Sequence, residues 1–273
     1  MKSVLITGGN SGIGLATAKA LAARGFRVFI AARDLQKSEQ ALKEIVAAVP
    51  GAQAMALRLD LANLDGVRAF AADFRARVPE LDVLILNAGL FPTTKQITAQ
   101  GFEQQFGVNH LGHFLLANLL LDSVKARKGR IVVVGSIMHW LGRIDFASFR
   151  GEKRYNPVLA YGQSKLANVL FAQELARRVA GSGVTVNALH PGGVDTGIAR
   201  DLPRFLQKLY AMMTVSVEKG AETSVYLASA PEAAGYNGLF FRNCRPMRVS
   251  PMARRDTAEK LWQASEELAG CRY

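Results

Sequence analysis

Cysteine, histidine, acid and long apolar runs are all scarce in this chain, and each scarcity removes a class of protein. Only Cys244 and Cys271 occur among 273 residues, which gives no disulfide framework and no zinc spacing, so a reducing compartment is expected. The four histidines, at 110, 113, 139 and 190, have no Glu-x-x-His or carboxylate pattern beside them. No metal is expected, and helix-surface or backbone-capping roles are. The strongest apolar stretch, Phe114 to Leu121, is too short to span a bilayer. Met1 to Ile6 lead directly into glycines, so no signal peptide or anchor is expected and the location is expected to be cytoplasmic. Acids number 22 against 34 Lys and Arg, leaving a net charge of +12. That favours an anionic partner without choosing among a phosphorylated cofactor, a membrane surface and nucleic acid. The sharpest basic stretch, Arg242 to Arg255, lacks the interleaved aromatics that stack bases, so nucleic acid is not expected. It reads as a basic surface, with membrane contact the lesser alternative.

What the chain does have is alternation. Val4-Leu5-Ile6, Val28-Phe29-Ile30, Ala54 to Leu59, Val83 to Leu86, Ile131 to Val134 and Val184-Thr185-Val186 read as strands buried on both faces. Helical patterns separate them, as in Ile13, Ala16, Thr17, Ala20 and Leu21. This predicts an α/β fold, a Rossmann-type doubly wound parallel sheet with helices on both faces, as one domain over residues 1–273. The stretch 193–216 interrupts the alternation and is placed to act as a substrate-binding lid. A last helix is expected over 252–268.

Thr7-Gly8-Gly9-Asn10-Ser11-Gly12-Ile13-Gly14 joins the first strand to the first helix. Glycines allow close backbone approach, and the helix N-terminus offers free N–H groups to a phosphate. The spacing is Gly-x-x-x-Gly-x-Gly, not the commoner Gly-x-Gly-x-x-Gly. At the end of the second strand stand Ala31-Ala32-Arg33-Asp34. A guanidinium grips a ribose 2′-phosphate, whereas NAD sites present a carboxylate, so Arg33 favours NADP(H), with NAD(H) the alternative because Asp34 either contacts ribose or caps the next helix.

Tyr161-Gly162-Gln163-Ser164-Lys165 places a phenol and an ammonium four residues apart, side by side on one helix face from about Leu159 to Arg178. A fixed positive charge favours the phenolate and moves its pKa from about 10 toward the working pH. The spacing alone is common on solvated helices. Its company, Ser136 upstream and the glycine turn, gives it weight.

Together these residues resemble the short-chain dehydrogenase/reductase family. The matches are Thr7-Gly8-x-x-x-Gly12-x-Gly14, Asp60-Leu61, Asn87-Ala88-Gly89, Asn109, Ser136, Tyr161-x-x-x-Lys165 and Pro191-Gly192, in the family's order. Asn109-His110-Leu111-Gly112-His113-Phe114, Gly151-Glu152-Lys153, Ser164-Lys165-Leu166-Ala167-Asn168 and His190-Pro191-Gly192 resemble its retinol dehydrogenase-like branch, as does Ser250-Pro251 through Leu261-Trp262. The resemblance implies that Gly8, Asn10, Ser11, Gly12, Ile13 and Gly14 hold the cofactor, with Asp60 and Leu61 by the adenine and Asn87, Ala88 and Gly89 as the floor. It implies that Asn109 holds a relay water, Ser136 donates to the substrate oxygen, Tyr161 gives or takes its proton, and Lys165 tunes that tyrosine and holds the nicotinamide ribose. It implies that Pro191, Gly192 and Val194 also bind the cofactor and that Thr196 approaches its carboxamide. A substrate pocket is expected from Met138, Trp140, Leu141, Phe205, Met212 and Met213, suited to a small lipophilic carbonyl or alcohol. Phe114 to Leu121 reads as a core helix that also offers a subunit interface, as in many relatives, so a homo-oligomer is expected.

Ser136 and His190 do not make a hydrolase, because no Gly-x-Ser-x-Gly elbow surrounds Ser136. Three functions compete: an NADP(H)-dependent alcohol–carbonyl oxidoreductase, a cofactor-binding redox sensor or scaffold without turnover, and a membrane-surface protein such as a lipid carbonyl reductase. The complete set Asn109, Ser136, Tyr161 and Lys165 favours the enzyme.

Overall fold

Strand parity decides which core layer each sheet residue enters. In the computed structural model, which describes residues 1–192 and 216–273, Phe29, Leu5, Leu84, Ile131 and Val186 stand in register across five strands and all point into one layer. One position further along, Ile30, Ile6, Ile85 and Val132 are again in register and enter the opposite layer. A strand with apolar residues at both parities can exist only where both faces are covered.

The strands are β1 (Ser3–Thr7), β2 (Arg27–Ala32), β3 (Ala54–Arg58), β4 (Val83–Leu86), β5 (Arg130–Val134), β6 (Thr185–His190), β7 (Phe240–Arg242) and β8 (Arg245–Met247). They form one sheet in the order β3-β2-β1-β4-β5-β6-β7-β8, parallel except for the β7–β8 pair. This is the doubly wound arrangement that the alternation predicts. The β7–β8 hairpin was not foreseen; each strand is three residues long, and arginines and a proline break its apolar pattern.

One layer is closed by α1 (Gly12–Ala22) and α2 (Leu35–Ala48), together with a helix late in the chain described below. The other is closed by α3 (Leu64–Arg77) and by α4, a rod made of Gln104–Phe106, a π-helical turn Gly107–Leu111 and Gly112–Leu119. After the short α5 (Leu121–Ala126) comes α6 (Pro157–Arg178) on the same face as α4. Asn156 starts α6 by accepting N–H bonds from Val158 and Leu159 at 3.0 and 3.1 Å, and Pro157 sits where a missing N–H costs nothing. Then α7 (Val217–Ser229) covers the first layer, and α8 (Arg255–Ala269) lies across α4 and α6. The lid expected over 193–216 lies outside the described residues apart from Ser216, whose hydroxyl caps α7.

Trp262 of α8 packs edge-on to Phe114 at 4.9 Å and stacks with Phe171 at 6.0 Å, and the Arg178 guanidinium lies 4.2 Å over its ring. His110 Nε2 meets Ser265 Oγ at 2.9 Å, and Arg68 donates to the carbonyls of Ala269 and Gly270. Phe114 to Ala117 are fully buried within the chain itself, so the segment is the core helix expected, with its Phe114 face covered by α8. All five arginines of the 242–255 stretch are exposed, as a basic surface requires. No helix among the described residues is long and apolar enough to cross a membrane.

Candidate active site

The sheet order reverses between β1 and β4, and the functional side chains collect beyond the carboxyl ends of the strands at that point. Gly8 leaves β1 with φ +65°, a backbone state that side chains disfavour. Gly14 must lack a side chain for another reason: a Cβ there would lie 2.2 Å from the Gly8 carbonyl oxygen. Ser11 stands at the N-cap of α1 in extended conformation, and its hydroxyl makes no capping bond, so the first N–H groups of the helix remain available to an anion. Ile13 anchors that first turn against Ala221 of α7, and Asn10 Nδ2 reaches the Asp34 carbonyl at 3.5 Å.

The floor of this cradle is Asn87-Ala88-Gly89. Asn87 Nδ2 donates to the Thr7 carbonyl at 2.8 Å and to that of Gly8 at 3.3 Å, while Thr7 Oγ1 accepts from the backbone N–H groups of Asn87 at 2.9 Å and Ala88 at 3.0 Å. A cradle that a single methyl group would fill, beside an open helix N-terminus, fits a dinucleotide pyrophosphate. At its outer edge Asp34 caps α2, accepting from Lys37 N at 3.0 Å. Arg33 is exposed and forms no ion pair among the described residues. Asp60 Oδ1 accepts from Ala62 N at 3.0 Å, and Leu61 is buried beneath Gly112, where a Cβ would lie 2.5 Å from the Leu61 carbonyl oxygen.

Ser136 follows β5 and caps a short 3₁₀ turn, Ile137–Leu141, its Oγ accepting from Met138 N at 3.2 Å. That turn runs against α6 through a contact of two glycines: a Cβ on Gly142 would stand 2.3 Å from the Gly162 carbonyl oxygen. The crossing brings Ser136 to the helix face that carries Tyr161 and Lys165. The Tyr161 ring meets Phe91 edge-on at 5.2 Å, and Lys165 Nζ lies 5.5 Å from the Tyr161 ring centroid. Lys165 is buried, which pushes its pKa down to about 8 and leaves it protonated at neutral pH. Its Nζ donates to the Val134 carbonyl at 3.2 Å and lies 3.3 Å from where a Gly89 Cβ would be.

Asn109 lies in the π turn of α4 and is fully buried. Its Oδ1 accepts from Leu90 N at 2.9 Å, and its Nδ2 donates to the Leu90 carbonyl at 3.1 Å and to Ser164 Oγ at 3.0 Å. The amide thereby ties the loop after β4 to the helix of Tyr161 and Lys165. Of the two roles expected for the histidines, the helix-surface one is not found, all four being buried, while His113 and His139 do bond backbone groups. His139 Nδ1 donates to the Ser136 carbonyl at 2.7 Å and its Nε2 accepts from Ser250 N at 3.1 Å, so it braces the serine from behind.

The family model for short chain dehydrogenases matches residues 2–206. The chain belongs to the short-chain dehydrogenase family. Within it the chain is retinol dehydrogenase-like. It is 46% identical to retinol dehydrogenase 12 of Mus musculus, with all of this chain and 87% of that protein covered, and 45% identical to retinol dehydrogenase 11 of Homo sapiens, covering 98% and 86%. Among solved structures, an uncharacterised protein from Mycobacterium paratuberculosis matches with a TM-score of 0.82 at 38% identity over 100% of this chain and 95% of that one. Actinorhodin polyketide ketoreductase, solved with NADPH, matches with a TM-score of 0.71 at 25% identity over 88% and 94%. Membership makes the chain an oxidoreductase of a family that binds nicotinamide cofactors.

In this short-chain dehydrogenase the structure brings together the glycine turn, the Asn87 floor, Asn109, Ser136, Tyr161 and Lys165. Pro191 and Gly192 follow β6, Gly192 with φ +98°. Val194, Thr196, Phe205, Met212 and Met213 lie outside the described residues. Of the remaining pocket residues Met138 is half-buried, while Trp140 and Leu141, on the turn packed against Gly162, are 43% and 59% exposed; Leu159, two positions before Tyr161, is 58% exposed. A cavity of about 1280 Å³ between α1 and α7 is lined by Leu15, Ala16 and Val217 and touches none of Ser136, Tyr161 or Lys165. Sequence reasoning missed Gln163, His113 and the Gly142–Gly162 contact. Gln163 holds the loop after the 3₁₀ turn, accepting from Asp145 N at 2.8 Å and donating to Ser148 Oγ at 3.0 Å.

Proposed function

We propose that the chain is an NADP(H)-dependent oxidoreductase that interconverts a lipophilic alcohol and its aldehyde or ketone. The observation that carries this is the buried Lys165 ammonium beside Tyr161, on a helix held against Ser136 by the Gly142–Gly162 contact. The cofactor, when bound, supplies or receives the hydride. Everything else falls to the chain: Ser136 donates a hydrogen bond to the substrate oxygen, Tyr161 transfers the proton at that oxygen, and the Lys165 charge favours the phenolate form through which it does so. Exposed Arg33, with Asp34 already engaged as a helix cap, supports a 2′-phosphate on the cofactor. Exposed Trp140 and Leu141 on the turn after Ser136, and Leu159 two positions before Tyr161, support a lipophilic substrate, as does the retinol dehydrogenase name of the relatives. A cytoplasmic location and a homo-oligomer belong to the same reading, with any subunit contact made away from the face that α8 covers.

The test is turnover followed by nicotinamide absorbance with lipophilic aldehydes, ketones and alcohols. Tyr161→Phe is expected to lower kcat by about 10²- to 10⁴-fold with cofactor binding retained. Wild-type turnover in that variant would remove the proton-transfer role, and tight NADPH binding without turnover of any panel member would favour the sensor instead.

A further inference from the structure

Thr7 and His113 are 106 positions apart, yet Thr7 Oγ1 stands 2.8 Å from His113 Nε2 in a fully buried contact. Hydrogen-bond inventory fixes the direction. Both lone pairs of Thr7 Oγ1 already accept, from Asn87 N and Ala88 N, so the hydroxyl must donate. Its nearest acceptor is His113 Nε2, since the Ile85 carbonyl lies farther away at 3.4 Å. On the other side, His113 Nδ1 is 3.1 Å from the Asn109 carbonyl, which can only accept. The ring is therefore the neutral Nδ1–H tautomer, donating to the π turn and accepting from the cofactor turn.

Each end of this bridge touches machinery already described. Through Thr7 it fixes Asn87 and Ala88 under the cradle. Through the Asn109 backbone it fixes the residue whose amide holds Leu90 and Ser164, and Ser164 Oγ in turn donates to the Tyr161 carbonyl at 2.9 Å. We propose that His113 is a positioning residue that couples the cofactor cradle to the Asn109–Tyr161–Lys165 set, so that the cradle and the catalytic helix keep one relative geometry. This rests on the reading of the site as a nicotinamide-dependent oxidoreductase. A neutral ring suits the place: burial, and secondarily the Lys165 charge, push the pKa of His113 down to about 4.

The experiment compares His113→Phe, which keeps a flat ring and removes both hydrogen bonds, with His113→Gln, whose amide carries one donor side and one acceptor side. NADPH affinity is measured by fluorescence titration, turnover by nicotinamide absorbance, and folding by thermal denaturation. The Phe variant is expected to bind NADPH about tenfold more weakly and to lose about tenfold in kcat, with Gln within about threefold of wild type on both. A folded Phe variant with wild-type affinity and kcat, only its melting temperature lowered, would overturn the proposal, as would a Gln variant as impaired as Phe. If the Phe variant does not fold, nitrogen NMR of the wild-type imidazole decides. A neutral Nδ1–H ring whose Nε2 resonance moves on NADPH addition supports the coupling, and one that does not move overturns it. A wild-type chain that binds neither NADPH nor NADH defeats the functional reading itself and this inference with it. Wild-type turnover beside an unaffected Phe variant defeats this inference alone.

Discussion

At the end of β2 an arginine and an aspartate stand next to one another, and backbone geometry divides their work. Asp34 lies in the extended conformation of an N-cap and accepts the Lys37 N–H, which leaves Arg33 as the side chain able to meet a ligand. Arg33→Ala is therefore expected to raise KM for NADPH by about 10- to 100-fold while leaving KM for NADH nearly unchanged, read from initial rates with each cofactor. An equal loss with both cofactors would mean that no 2′-phosphate is held there. At this scale the sequence was informative where partners are close along the chain. Tyr161 and Lys165 declare themselves because a helix brings i and i+4 together. His113 does not, because its hydroxyl partner, Thr7, comes from strand β1 far back in the chain, and Gln163 looks like any polar helix residue until the loop it holds is seen.

Among the elements, α8 closes the layer over α4 and α6. Its apolar residues Ala258, Leu261 and Trp262 fall on one stripe and are buried, while Arg177 pairs with Glu259 at 3.1 Å outside the contact. Trp262→Ala is expected to destabilise the fold by about 3–5 kcal/mol, seen as a lower urea midpoint, because the space between Phe114, Phe171 and Arg178 cannot close around an alanine. A change below about 1 kcal/mol would mean that α8 is not part of the cooperative core. The strands of the parallel sheet were legible because runs such as Val83 to Leu86 are apolar at both parities. The π turn at Gly107–Leu111 was not, since its apolar spacing differs little from that of the α-helix around it. The β7–β8 hairpin is positioned by pairing with β6, information that no local window of Phe240–Met247 contains.

For the molecule as a whole, the histidines set the acid limit. Burial lowers the pKa of all four from an ordinary value of 6.5, to about 3 for His110 and about 4 for His113 and His190. The unfolded chain binds protons on the rings of His110, His113 and His190 below about pH 6.5, whereas the folded chain does so only near pH 4 or lower. Stability is thus lost on acidification through that window, by about 1.4 kcal/mol per pH unit for each ring. Urea midpoints measured from neutral pH down to about pH 4 check this, and a midpoint flat across the range would contradict the burial of the rings. The net charge of +12 adds self-repulsion in the same direction.

The Gly142–Gly162 crossing has a consequence for how such an enzyme can change. It sets the approach of the turn after Ser136 to the helix of Tyr161 by backbone contact, whereas residues 143–155 are anchored separately, by Gln163 to Asp145 and Ser148, by the Phe149 carbonyl to Glu103 N and by the Tyr155 hydroxyl to the Pro92 carbonyl. A side chain at Gly142 would push the serine turn off the tyrosine helix, and with it change the distance across which, on the proposed reading, the proton moves.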